Sequence, residues 1–159
     1  MSVETVKNYL NKWGRGGDVL EFEESSATVE LAAERLGVEP GRIAKTLCFK
    51  KDEGCVLIIA SGDVRIDNSK FKAEFGCKAT MLPPDDVLRL TGHAVGGVCP
   101  FALPAGSLVY ADASLKNYDT VFPACGSSNS AIEMRIDELF EYVKIQGWVD
   151  VGKEKAAIV

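Results

Sequence analysis

Four stretches of the chain gather residue types that could do chemistry. In IAKTLCFK, the period-two geometry of a strand puts Ile43, Lys45, Leu47 and Phe49 on one face and Ala44, Thr46 and Cys48 on the other. An ammonium among large apolar side chains either reaches water along its own alkyl stem or marks a site, because burying it unpaired is costly. The stretch TGHAVGGVCP holds the only histidine, His93, and the pair Gly96 and Gly97 ahead of Cys99 and Pro100. Adjacent glycines admit positive φ and let bare N–H and C=O groups approach a ligand, where they position a water or stabilise an oxyanion, while proline fixes the exit. An ordinary turn has the same composition. His93 follows Gly92 and is placed to cap the carbonyls of a preceding helix end. A Cys99–His93 nucleophilic pair is a third arrangement, but no orienting residue accompanies it. The other two stretches are SGDVRIDNSK, with Ser61, Gly62, Asp63 and Asp67 after an apolar run, and ACGSSNS, with Gly126 and Ser127. Strand ends commonly carry site residues, yet turns and helix caps use the same side chains.

Composition removes several function classes. The five cysteines are scattered, with no CxxC pair or other zinc-ligand spacing, so no metal is expected and the thiols should be reduced. Cys48, Cys55 and Cys77 lie in or beside apolar runs, where cysteine behaves as a small hydrophobe. A net charge of −5 argues against non-specific nucleic-acid binding, which draws on many Lys and Arg. Any such contact must be local, and RIDNSKFK supplies the one candidate patch, Arg65, Lys70 and Lys72, followed by Lys78. It is either a phosphate-contacting surface or a solvated helix face. No run approaches the roughly 18 to 20 apolar residues of a membrane span, and MSVETVKNYL has no signal-peptide core. A soluble, cytoplasmic protein with no membrane or DNA partner is expected.

The elements that must hold these residues follow from periodicity. Val3, Val6, Leu10 and Trp13 mark an amphipathic helix ended by Gly14. DVLEFEES alternates as a short strand, and TVELAAERLG is a helix with Thr28 as N-cap and Gly37 past its end. IAKTLCFK and CVLIIASG form a hairpin across KDEG, central in the sheet. Asp67 caps a helix running through Phe75, CKATML reads as a strand, and Pro83 and Pro84 open a short helix, VLRLTG, that leads into the glycine loop. SLVYAD, TVFPAC and AIEMR read as strands, and Asp137 caps a final helix, DELFEYVK, before a GWVDV tail. At 159 residues and 47% apolar, the chain suits one domain over residues 1–159. The order predicts an α+β fold with a mixed sheet curled towards a barrel and flanked by helices.

Taken together and in order, AKTLCF, ASGDVRIDNSKF, TGHAVGGVCPF and FPACGSSNSAIEM resemble the YbaK / prolyl-tRNA synthetase-associated editing domain family, from about Glu21 to Phe140. The resemblance implies the same single α+β domain and a hydrolase that releases wrong amino acids from mischarged tRNA, mostly proline tRNA. It places the family's catalytic lysine on Lys45 and its G-x-x-x-P loop on Gly96 to Pro100, with Gly97 inside that loop. It further implies substrate contacts from Ser61, Gly62, Asp63, His93, Gly126 and Ser127, and tRNA contacts from Arg65, Lys70 and Lys72. No cofactor or metal is implied. The implied partners are the acceptor end of a mischarged tRNA and prolyl-tRNA synthetase. With no synthetase domain attached, a free-standing editor is expected; a non-catalytic module holding tRNA ends or a nucleotide is the alternative. ACGSSNSA carries alanines and a cysteine where some relatives have polar selectors, which leaves alanine, serine and threonine as substrates.

Overall fold

The computed structural model describes residues 3–23 and 28–154. In chain order its elements are α1 (Val3–Leu10), β1 (Leu20–Glu21), α2 (Val29–Leu36), β2 (Ile43–Lys51), β3 (Gly54–Ser61), β4 (Val64–Ile66), α3 (Asn68–Phe75), α4 (Pro84–Thr91), β5 (Leu108–Asp112), β6 (Thr120–Pro123), β7 (Ser130–Ala131), β8 (Met134–Arg135), α5 (Ile136–Tyr142), β9 (Ile145–Val149) and β10 (Gly152–Glu154). Six strands form a mixed sheet in the order β8-β6-β2-β3-β5-β9, curled into a half-barrel, and the pairs β1-β7 and β4-β10 flank it. This is the α+β architecture that the sequence predicts.

The hairpin lies at the centre because both of its strands are apolar on both faces. Ala44, Cys48, Leu57 and Ile59 pack with Val6 and Leu10 of α1 and with Leu139 and Tyr142 of α5. The opposite face, with Phe49, Val56 and Ile58, packs on Phe71 of α3 and on Val149 and Val151. Helix ends follow local rules. Thr28 accepts from the Leu31 N–H, Asp67 accepts from the Ser69 and Lys70 N–H groups, and Gly37, Gly76 and Gly92 close their helices in the left-handed region.

Several elements depart from the sequence-based expectation. The first helix ends at Leu10 and continues as a single 3-10 turn, Asn11–Trp13, before Gly14 at φ 72°. Of DVLEFEES only Leu20–Glu21 is strand, and Glu24 and Ser25 lie outside the described residues. CKATML is not a strand: it touches the hairpin through one bridge, Met81 with Phe49, and through the Lys50 N–H to the Thr80 carbonyl. AIEMR divides, Ala131 pairing with β1 and Met134–Arg135 with β6. Asp137 is not the N-cap of the last helix. Arg135 is, and Glu138 reaches back to the Arg135 N–H while Asp137 accepts from the Arg135 side chain. The tail is structured: β9 runs parallel to β5 at the sheet edge, and β10 pairs with β4 inside SGDVRIDN, a segment to which the sequence pattern assigns no strand. Buried Asp112 holds that tail by accepting from the Val151 and Gly152 N–H groups, at 2.8 and 3.1 Å.

Candidate active site

On one side β2 pairs with β3 along nearly its whole length, from Ala44↔Ser61 to Lys51↔Gly54. On the other it meets β6 only at Ile43↔Phe122 and Ala44↔Pro123. Pro123 brings no N–H to a ladder, and Gly126 at φ 94° turns the chain away. Beyond Ala44 the edge of β2 therefore opens into a cavity of about 420 Å³. Lys45, Thr46, Leu47 and Cys48 form its strand wall, α2 contributes Val29 and Ala32, and α4 contributes Val87. Two loops close it, one through Val95, Gly96 and Val98 and the other through Ala124, Ser127, Ser128 and Ser130. Half-buried Lys45 donates its ammonium to the Val64 carbonyl of β4, which fixes one charge at the cavity wall.

The glycine loop begins where α4 ends, with the Gly92 N–H on the Leu88 carbonyl at 2.9 Å. Gly96 has φ 94°, a region that favours glycine, and faces the cavity. Gly97 turns back on the Ala94 carbonyl at 2.9 Å. A Cβ on Gly97 would lie 2.8 Å from the Gly126 carbonyl oxygen and 3.0 Å from the Ser127 Cα, so the two loops touch backbone to backbone. In the second loop, Ser127 Oγ donates to Asn129 Oδ1 at 2.8 Å and lies 2.8 Å from Ser130 Oγ.

Cys99 and His93 lie behind this wall rather than on it. His93 is buried, with Nε2 2.8 Å from the Phe101 carbonyl, so Nε2 carries the proton. The imidazole does not cap α4; the Gly92 backbone does. Burial holds His93 below its ordinary value, the Phe101 carbonyl acting in the opposite direction. The Cys99 thiol is pushed up to about 12 by burial, against backbone hydrogen bonds that favour the thiolate. A buried thiol of that acidity is not a nucleophile near neutrality.

The cavity brings together Lys45, Gly96 and Ser127, with Gly97 and Gly126 packed directly behind them. Pro100 and His93 are buried and do not line it. Ser61, Gly62 and Asp63 sit at the end of β3 in a separate knot. Ser61 Oγ bonds to the Gly41 carbonyl, Tyr118 donates to Asp63 at 2.8 Å, and a Cβ on Gly62 would meet the Pro40 carbonyl at 2.3 Å. Arg65 is exposed on β4 beside Val64, Lys72 is exposed on α3, and Lys70 binds Asp150 and the Gly152 carbonyl at 3.1 and 2.9 Å. Sequence reasoning did not single out Ser128 or Ser130, although ACGSSNS contains them. It had no signal for Val29 and Ala32, which reach the cavity only through the packing of α2.

The sequence pattern of the aminoacyl-tRNA editing domain matches residues 23–142. The chain belongs to the aminoacyl-tRNA editing domain family. The uncharacterized Bacillus subtilis (strain 168) protein YwhH is 52% identical to this editing-family chain over 97% of the chain and 99% of its own length. A candidate Cys-tRNA(Pro)/Cys-tRNA(Cys) deacylase, EbsC of Enterococcus faecalis, is 30% identical over 71% of the chain and 70% of its own length. Among solved structures, a candidate trans-editing enzyme for prolyl tRNA synthetase superposes with a TM-score of 0.85, at 30% identity over 98% of this chain and 99% of that one. The proline–tRNA ligase of Thermotoga maritima carries a similar segment, 28% identical over 72% of this chain and 21% of the ligase.

Proposed function

We propose that this protein is a trans-editing aminoacyl-tRNA deacylase that hydrolyses the ester of a mischarged tRNA, its substrate being a small wrong amino acid on proline tRNA. The observation that carries the reading is the meeting of Lys45 and the Gly96 backbone across one cavity at the open edge of β2. An aminoacyl ester is already reactive, so hydrolysis needs orientation, a placed water or substrate hydroxyl, and charge stabilisation more than a strong protein nucleophile. Lys45 supplies positive charge for the terminal nucleotide, and the Gly96–Val98 backbone presents polar groups at the ester. Cys99 and His93, both buried behind the loop, take no bond-making role.

A cavity of about 420 Å³ lies within the usual range of small-ligand sites, roughly 300 to 1,000 Å³. Val29, Ala32, Ile43, Val87 and Phe122 give it apolar walls, and Ser127, Ser128 and Ser130 give it a hydroxyl-bearing one. That pairing suits a short side chain such as that of alanine, serine or threonine. Arg65, Lys70 and Lys72 are the proposed tRNA contacts. A cytoplasmic site of action and association with prolyl-tRNA synthetase accompany the reading. The test is incubation with proline tRNA charged in turn with alanine, serine, threonine, cysteine and proline, scored for released amino acid. The reading predicts release of a small non-cognate residue while prolyl-tRNA is spared. Tight binding of the tRNA without release of any amino acid would leave a binding module and overturn it.

A further inference from the structure

The proposed chemistry leaves two titratable side chains of the glycine loop unused, His93 and Cys99, and the surroundings of His93 are specific. The loop hangs between two buried anchors: His93 is 1% exposed and Phe101 0%, whereas Val95 between them is 62% exposed. At the first anchor the His93 N–H donates to Thr91 Oγ1 at 3.0 Å, and that hydroxyl lies 2.7 Å from the Val87 carbonyl of α4. The imidazole then crosses the neck of the loop, Nε2 donating to the Phe101 carbonyl at 2.8 Å with Cys99 Sγ at 3.5 Å. Among the described residues Nδ1, which is buried, has no hydrogen-bond partner, and the bond at Nε2 fixes the ring in one tautomer. Gly96 and Gly97 make the intervening backbone the most permissive of the cavity wall, and a permissive segment takes a single shape only when its ends are held.

We propose that His93 is a positioning residue: its imidazole sets the separation of the loop's two ends and so fixes where the Gly96 backbone meets the cavity. The catalytic consequence rests on the deacylase reading; the brace itself does not. Replacing the bond with an apolar side chain leaves the Phe101 carbonyl only the weak, long donor of the Cys99 thiol at 3.8 Å and frees the loop to shift.

The experiment compares His93→Leu, which fills the volume without a donor, with His93→Gln, whose amide N–H reaches the same carbonyl. Amide hydrogen exchange of residues 92–103 and of the β2–β3 hairpin is measured beside single-turnover deacylation of mischarged proline tRNA. His93→Leu is expected to raise exchange in the loop by about tenfold or more, leave the hairpin protected, and slow the chemical step by roughly tenfold to a hundredfold with KM within about twofold. His93→Gln is expected to restore most of both. Should His93→Leu fail to fold, His93→Asn, a donor too short to reach, takes its place. Wild-type loop exchange and rate in the folded Leu variant would overturn the proposal. Equal losses in both variants with exchange raised across the hairpin would also overturn it, since that is the mark of a plain core residue. If the wild type releases no amino acid from any mischarged tRNA, the deacylase reading falls and the exchange pattern alone decides the brace.

Discussion

The two edges of β2 are built to opposite purposes. Towards β3 the strand is paired from Ala44 to Lys51, and Val56 to Ala60 of the partner are fully buried. Towards β6 pairing stops after Ala44, and the next three residues, Lys45, Thr46 and Leu47, are only partly buried and line a cavity. One strand thus secures the core with one edge and gives up ladder hydrogen bonds along the other, where a ligand can enter. Lys45 owes its position to the closed edge and its place on the cavity wall to the open one.

Substitutions at the two edges should separate stability from activity. Leu57→Ala on the closed edge removes a buried side chain opposite Cys48 and should cost about 2 to 5 kcal/mol of stability, with the rate per folded molecule unchanged. Denaturant unfolding beside single-turnover kinetics checks it, and a large loss of rate at full stability would break the comparison. Gly97→Val on the open side places a Cβ 2.8 Å from the Gly126 carbonyl oxygen and forces the loops apart. Its rate should fall by about a hundredfold, equivalent to roughly 2.7 kcal/mol, with a smaller loss of stability.

A smaller effect is expected outside the cavity. Reversing Lys70 and Lys72 to Glu should weaken tRNA binding by about tenfold and flatten its salt dependence, while hydrolysis of a minimal aminoacyl-adenosine stays unchanged. Equal losses on both substrates would place the patch in the cavity's own architecture. The smallest effect concerns acid. His93 is held below 6.5 in the folded protein, so the unfolded chain takes up its proton first. The contribution is therefore present above about pH 6.5 and is lost as pH falls through that value towards the folded one. Melting temperatures between about pH 7.5 and 5 should decline in the wild type, and less steeply in His93→Gln. The carboxylates held low by their partners, Asp67, Asp137 and Glu138, act only at lower pH.

What the sequence made legible was local. The hairpin, the Thr28 and Asp67 caps and the glycine stop at Gly37 depend on neighbours a few residues away, and each appears where its pattern places it. Lys45, Gly96 and Ser127 were legible one at a time as residues of the right type. What was not legible depends on distant partners. Ile145–Val149 becomes a strand only because β5 offers a parallel edge, and CKATML fails to become one because it meets the hairpin at a single bridge. The roof that α2 lays over β2, and the burial that removes His93 and Cys99 from the cavity surface, are likewise products of tertiary packing.

The central claim is that Lys45, carried on the open edge of β2, is the charge on which deacylation depends. Single-turnover hydrolysis of mischarged proline tRNA by Lys45→Ala, read beside its melting curve, tests it most directly. The substitution removes the hydrogen bond from a charged donor to the Val64 carbonyl, a kind of bond that contributes about 1.5 to 3 kcal/mol, so the melting curve establishes that the variant is folded at the assay temperature. The account predicts a folded protein whose hydrolysis falls to the rate of the tRNA alone. A folded Lys45→Ala protein with the wild-type rate would contradict it.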